Sequence, residues 1–328
     1  MLLLSPAPLA LAQKPMPEQQ ALKNGPRATL VRDANLYVQP DESASRISVI
    51  MPGREMVIVE RSGNWLRVFA NIDSLGGHSE DADAPSIGGS SEVVPLSGWM
   101  LNKGVIDPNT PHGDEILFGE AVSKEDAASE SHAPPHAALE ARLLYMRVVE
   151  MFPKSPLTPE AMWRAADIRW QLQKADASTL PSAHEKASYL REQPDENEMK
   201  NIEKYFPRTR WAALAAYDMI DNKLCGDWQG SEKCPEKEAE YYTKYAEDYP
   251  DSPRAPRALY NAAWRLAAAG DMWTADGNSG HANDDRKHAA DIAQQLETKY
   301  PKSEEAALAA DLVYKMQSGI PVYGSQRE

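Results

Sequence analysis

Cys225 and Cys234 are the only thiols in the chain, nine apart in the glycine-bearing stretch 222–235. A thiol nucleophile needs its thiolate beside a positioned histidine. Two cysteines in one short loop between predicted helices read instead as a disulfide, provided the chain is exported. Closing so short a loop contributes roughly 2–3 kcal/mol. Two thiols alone do not hold a structural zinc, and the spacing is not that of a redox Cys-x-x-Cys. His281, Asp284, Asp285 and His288 could be drawn as a metal site, since the two histidines lie two helical turns apart. Acidic residues in the first turn of a helix account for Asp284 and Asp285 equally well. No metal and no cofactor are expected. Glu196 with Glu198, and Glu304 with Glu305, are pairs of the kind any acidic helix carries. There is no Gly-x-Ser-x-Gly elbow, no His-Glu-x-x-His, no phosphate loop and no Gly-x-Gly-x-x-Gly. The expectation is that the protein is not an enzyme.

What remains is recognition chemistry. Tyr37, Trp65 and Trp99 offer flat rings with a polar edge, which suits a binding surface. Arg254, Arg257 and Tyr260, with Trp264 and Arg265, could line a groove for an acidic or extended peptide. The competing reading has the arginines offsetting local acidity while Trp264 packs in a core.

The elements that must position these residues announce themselves by repetition. Pro153, Pro207, Pro250 and Pro301 each follow an aromatic residue. A serine or threonine stands two places on, and an alanine eight places on, at Ala161, Ala215, Ala258 and Ala309. Proline ends a helix and pushes the residue before it out of the helical region. The hydroxyl then caps the next helix. Each copy reads as helix, proline corner, helix, and such units bury their faces against one another. The corners are structural. They lie 54, 43 and 51 residues apart, wider than the roughly 34 of a tetratricopeptide unit. Insertions at the Cys225 loop and at 274–283 are expected to fill the difference.

Charge narrows the partners. The chain has 35 basic and 49 acidic residues, a net charge of −14. Nucleic-acid binders need clustered Lys and Arg, so that class is excluded. Residues 1–12 are apolar and end Ala10-Leu11-Ala12, the small-x-small pattern of a cleaved signal peptide. Export to a periplasmic or extracellular location follows as an expectation. No run approaches 18 apolar residues, so no transmembrane segment is expected.

Residues 13–27 read as a flexible leader. From 28 to 107 the pattern is short β-rich runs broken by turns, with strands expected at 29–31, 35–38, 46–50, 55–61, 65–70 and 98–102. Such a series implies a small barrel. Ala34-Asn35-Leu36-Tyr37-Val38-Gln39-Pro40, then Gly53, then Gly63-Asn64-Trp65-Leu66-Arg67-Val68, then Gly98-Trp99-Met100 resemble the bacterial SH3-like domain. Tyr37 stands where that family usually has arginine, and 71–97 is a loop insertion between the two tryptophans. The resemblance implies binding of cell-wall peptides or protein ligands. Trp65 and Trp99 are expected to fill the barrel core, leaving Tyr37 the better surface contact.

Residues 108–136 read as a linker, proline-bearing and polar, with Ile116-Leu117-Phe118 its one apolar cluster. Helices are expected from 137 to 318, and 319–328 is a tail. Tyr249-Pro250-Asp251-Ser252-Pro253, Ala258-Leu259-Tyr260 and Gly270-Asp271 resemble the tetratricopeptide-like repeats of bacterial envelope proteins. The expected whole is multi-domain, a small all-β SH3-like barrel followed by an all-α tetratricopeptide-like array. It implies an exported cell-envelope scaffold, holding cell wall or peptide through the barrel and a protein partner through the repeats. A peptidoglycan hydrolase or its accessory subunit is the alternative.

Overall fold

The computed structural model describes residues 18–71, 95–185, 187–226, 228 and 231–324. The expected signal peptide, residues 13–17 of the leader, nearly all of the insertion and residues 325–328 lie outside them. The chain divides into two compact units, 1–168 and 169–328.

The first unit opens with α1 (Glu18–Asn24), where a flexible leader was expected. Its Leu22 packs on Val57, Val59 and Phe69, and Arg27 donates to the Leu22 carbonyl at 3.0 Å. Among the described residues seven strands follow: β1 (Arg27–Leu30), β2 (Ala34–Tyr37), β3 (Arg46–Ile50), β4 (Met56–Ser62), β5 (Trp65–Ala70), β6 (Leu96–Leu101) and β7 (Val105–Ile106). They form an antiparallel sheet in the order β3-β2-β6-β5-β4-β1-β7. Register shifts within β2 and β4 help curl it. Leu30, Leu36, Ile50, Met56, Ile58, Leu66, Val68 and Met100 fill its inner face. Side chains alternate across a strand, so the residues between them point outward.

Residues 108–136 are not a bare linker. They hold α2 (Gly113–Ala128), which packs antiparallel-hairpin fashion beside α3 (Ala137–Met151). Leu117 is fully buried with Ile106, Ala141, Leu144, Tyr145 and Val148. The polar residues that disguised this helix are its fastenings. Glu125 accepts from the Tyr145 hydroxyl at 2.6 Å and from Arg164 at 2.8 Å, and Lys124 meets Glu140 at 2.6 Å. His132 and His136 are exposed, as solvent residues would be.

Another side of α3 rests on the turn between β3 and β4. Gly53 has φ 75°, and a Cβ there would come within 2.6 Å of Leu143 Cβ. Its carbonyl accepts from Arg147 at 2.9 Å. Glycine is required on both counts, backbone conformation and close approach. The spacing of Leu139, Leu143, Met146, Val149 and Met151 leads one to expect a single apolar face on α3, but the helix is covered on two sides. Its burial centres on Ala141, Leu143, Leu144, Tyr145 and Val148.

Helix α4 (Thr158–Ser178) leads on from Pro153. The second unit then runs through α5 (Asn197–Tyr205), α6 (Arg210–Asp218), α7 (Lys233–Asp248), α8 (Ala255–Ala275), α9 (Ser279–Lys299) and α10 (Glu304–Gln317). A helix expected over 184–191 is replaced by 3-10 turns at Pro181–His184 and Ser188–Leu190. The expected loop at 274–283 shrinks to a turn, because α8 and α9 each continue to 21 residues. Longer helices, rather than an inserted loop, fill the 51-residue spacing.

The four corners share one backbone geometry. Phe152, Phe206, Tyr249 and Tyr300 have φ between −126° and −131° and ψ between 50° and 60°. Each carbonyl accepts from the amide of the serine or threonine three places on, at 2.9–3.3 Å. Thr209 and Ser303 cap their helices by accepting from Ala212 and Ala306. Ala161, Ala215, Ala258 and Ala309 are all fully buried. A side chain without χ freedom lets helices approach there at little entropic cost.

Candidate functional site

The sheet's outer face gathers the three aromatic candidates. Tyr37 pairs with Trp99 across β2 and β6. On β5, Trp65 and Arg67 stand opposite Leu101 and Trp99. The Tyr37 and Trp65 rings meet edge to face, centroids 5.8 Å apart. All three side chains are half-buried. The expectation that Trp65 and Trp99 fill the core is therefore corrected. Leu66, Val68 and Met100 take the inner positions, and the alternation of each strand sends the tryptophans outward. Gly98 makes the arrangement possible. A Cβ there would come within 2.6 Å of Leu36 and 2.9 Å of the Tyr37 carbonyl, holding β2 off β6. The Tyr37 hydroxyl accepts from Asn35 at 3.2 Å. Beside it a hollow of about 270 Å³ is lined by Arg32, Asp33, Glu42 and Lys103. Aromatic platforms beside polar groups of both signs suit a ligand with apolar faces and polar edges.

The groove expected around Arg254, Arg257 and Tyr260 does not assemble. Tyr260 is buried in the helical core and has no face to offer a ligand. Arg254 and Arg257 are exposed, their guanidiniums 5.7 Å from the Tyr217 ring and 5.8 Å from the Tyr260 ring. They cover aromatic surface with their stems.

Arg265 is the buried arginine, and its partner is a residue the sequence hid. Glu238 on α7 is 2% exposed and Arg265 3%. Arg265 Nε donates to Glu238 Oε2 at 2.7 Å, and its guanidinium lies 4.6 Å from the Tyr242 ring centre. Glu238 Oε1 accepts from the Cys225 amide at 2.8 Å and from Trp228 Nε1 at 3.1 Å. The Cys225–Cys234 disulfide closes the same loop, with Cα atoms 6.0 Å apart. Carboxylate, disulfide and Arg265 thus hold Trp228 in place. In an acidic helix Glu238 looks like one more solvated residue. Its only signal is position, i+4 from Cys234 and among the apolar faces of Ala239, Tyr242 and Tyr245.

The histidine-rich start of α9 contains a different device. Asp285 faces Glu236, which accepts from Trp273 Nε1 at 2.7 Å. Burial, and after it the neighbouring Glu236, pushes the Asp285 carboxyl up to about 6, with Asp284 adding to the rise and His281 opposing it. His288 lines a hollow together with Glu236 and Asp285, while the His281 ring lies tilted against Trp273, centroids 4.9 Å apart. Among the described residues no three His, Cys, Asp or Glu side chains converge as a metal ion would require. Above pH 6 the folded protein holds a charge its surroundings disfavour, whereas the unfolded chain ionises freely near pH 4. The stability this proton confers is fully present below the unfolded value and is lost as pH rises through about 6. Asp285→Asn is expected to raise the thermal midpoint at pH 7.5 and to flatten its change between pH 4 and 6. Melts of both proteins across pH 4–8 check this, and parallel curves would count against it.

No protein-family model and no curated protein matches the chain. Among solved structures it is similar to the de novo designed helical repeat protein DHR64, at 18% identity over 63% of this chain and 94% of that one, with a TM-score of 0.22. It is also similar to the DHF79 filament, at 15% identity over 62% and 100%, with a TM-score of 0.19. Likeness of that degree assigns no function. Among the described residues no helix is long and apolar enough to cross a membrane.

Proposed function

We propose that the protein is a non-enzymatic, exported cell-envelope scaffold. On this reading the sheet unit is an SH3-like barrel that holds cell wall or peptide, and the helical half is a tetratricopeptide-like array that holds a protein partner. The single observation carrying the reading is the collection of Tyr37, Trp65 and Trp99 on the outer face of β2, β6 and β5. Neighbouring, partly exposed aromatic side chains on one face of a sheet form the kind of contiguous apolar surface that marks an interaction site. The disulfide supports an oxidising compartment. Two recognitions on one chain raise each other's effective concentration. That gain does not require a flexible joint at 108–136, where α2 is folded and packed.

The test is retention of the full chain on purified sacculi and on immobilised envelope extract, each compared with a folded control protein. Retention on sacculi that the Trp65→Ala, Trp99→Ala double variant loses is the expected result. Equal retention of both, or of neither, overturns the barrel's assigned role. A clearing band on a peptidoglycan gel at the position of the purified chain would overturn the non-enzymatic reading in favour of a hydrolase.

A further inference from the structure

Residues 319–328 were expected to be a tail, yet the part described is docked. After α10 the chain turns through Gly319 at φ 67° and turns again at Tyr323 and Gly324, where Gly324 has φ 78°. Val322 is 2% exposed, inside the core of the helical unit. The amides of Val322 and Tyr323 both donate to Asp271 Oδ2, at 2.6 and 3.1 Å. The Tyr323 ring stacks on Trp228 at 6.4 Å and 15°. The segment is read by an apolar side chain in a pocket, by an aromatic on an aromatic platform and by two consecutive amides converging on one carboxylate oxygen, which is the concave arrangement of a turned backbone.

The receiving side is built without help from the segment. Arg286 holds Asp271 Oδ1 at 2.9 Å, and Glu238 holds Trp228. The burial of Val322, the two amide bonds and the Tyr323–Trp228 contact are set against the ordering of several residues. Pro321 reduces that cost by restricting the backbone, and having no N–H it leaves no donor unpaired.

We infer that the C-terminal end of α8, with Trp228, is a groove for a turned peptide segment carrying a β-branched apolar residue followed by an aromatic one. Residues 321–323 occupy it in cis and are displaced by a partner segment of the same chemistry. This rests on reading the helical half as a partner-binding surface and names the kind of partner. A tethered occupant acts at an effective concentration on the order of millimolar, so only a partner that binds the emptied groove well, or binds elsewhere too, replaces it.

The probe is a fluorescein-labelled peptide with the sequence of residues 319–324, followed by anisotropy. The receptor is the full chain carrying Val322→Asp and Tyr323→Ala, which empties the groove. That variant is expected to bind the peptide at least tenfold more tightly than the wild-type chain, and adding Asp271→Asn is expected to weaken it at least tenfold. A variant with wild-type helical circular dichroism that fails to bind overturns the proposal, as does equal binding by variant and wild type or indifference to Asp271→Asn. Should the variant not fold, amide exchange in the wild-type chain decides. Exchange of Val322 and Tyr323 far ahead of the α8 amides supports a displaceable segment, and exchange together with them marks a permanent part of the core and ends the idea. Capture of an envelope partner that the peptide does not compete away would leave partner binding standing and the groove refuted. Peptide binding with no partner captured would do the reverse.

Discussion

Glu238→Ala is expected to destabilise the helical unit by about 3–5 kcal/mol, the loss typical of a buried ion pair deprived of one partner. Three groups lose their acceptor together. Arg265 keeps its charge in a 3% exposed site, and the Cys225 amide and Trp228 indole are left without the oxygen they share. For a unit of roughly 160 residues this corresponds to a fall in melting midpoint of roughly 6–20 °C. Tryptophan fluorescence in urea measures it, since Trp228 and Trp264 lie 5.4 Å apart beside the pair. Replacing both partners, Glu238→Met with Arg265→Met, is expected to cost clearly less than Glu238→Ala alone. Desolvation of two charges is then no longer paid for, and only the loop's two donors stay orphaned. A loss below about 1 kcal/mol for Glu238→Ala would mean that water reaches the carboxylate and that the loop is held by its disulfide alone. The same variant bears on the C-terminal groove, because a Trp228 freed from Glu238 no longer offers Tyr323 a fixed platform.

The residues legible from sequence were those whose role is local. A proline corner is specified within some ten residues, by a ring, a proline, a hydroxyl and an alanine, and all four corners have the same backbone geometry. Strands were legible because turns and alternation are also local. The expected run 65–70 is β5 residue for residue, while β7 is only two residues long and too short for any pattern. What stayed hidden depends on distant partners. Helix α2 carries Glu125 and Lys124 toward Tyr145, Arg164 and Glu140, and such polar fastenings read as linker until their partners are known. Glu238 and Asp271 are ordinary acidic helix residues until Arg265, Trp228 and the C-terminal segment close on them. For Trp65 and Trp99 the error was one of face. Bulk argues for a core, but strand parity decides, and Leu66 and Met100 beside them already claimed the inside.

That parity sets up the last prediction. Because Trp65 and Trp99 lie outside the core on the sheet's inner face, their joint replacement by alanine is expected to separate binding from folding. The sheet should lose only about 1–2 kcal/mol, chiefly the edge-to-face contact between Tyr37 and Trp65 and partial apolar cover. Its inner face from Leu30 to Met100 is untouched. Affinity for the ligand retained on sacculi is expected to fall by about 100-fold or more, roughly 3 kcal/mol, as when central aromatic anchors are truncated. Tyr37→Phe should act more mildly and on specificity, since it removes the hydroxyl that Asn35 positions beside the polar hollow. Leu66→Ala supplies the opposite pattern: a cavity in the core costing about 2–5 kcal/mol, with affinity preserved in whatever fraction stays folded. Binding isotherms and urea midpoints measured on the three variants decide between the roles. If the double tryptophan variant lost stability as Leu66→Ala does while binding at wild-type strength, the outer rings would be structural cover and the recognition surface would have to lie elsewhere on the chain.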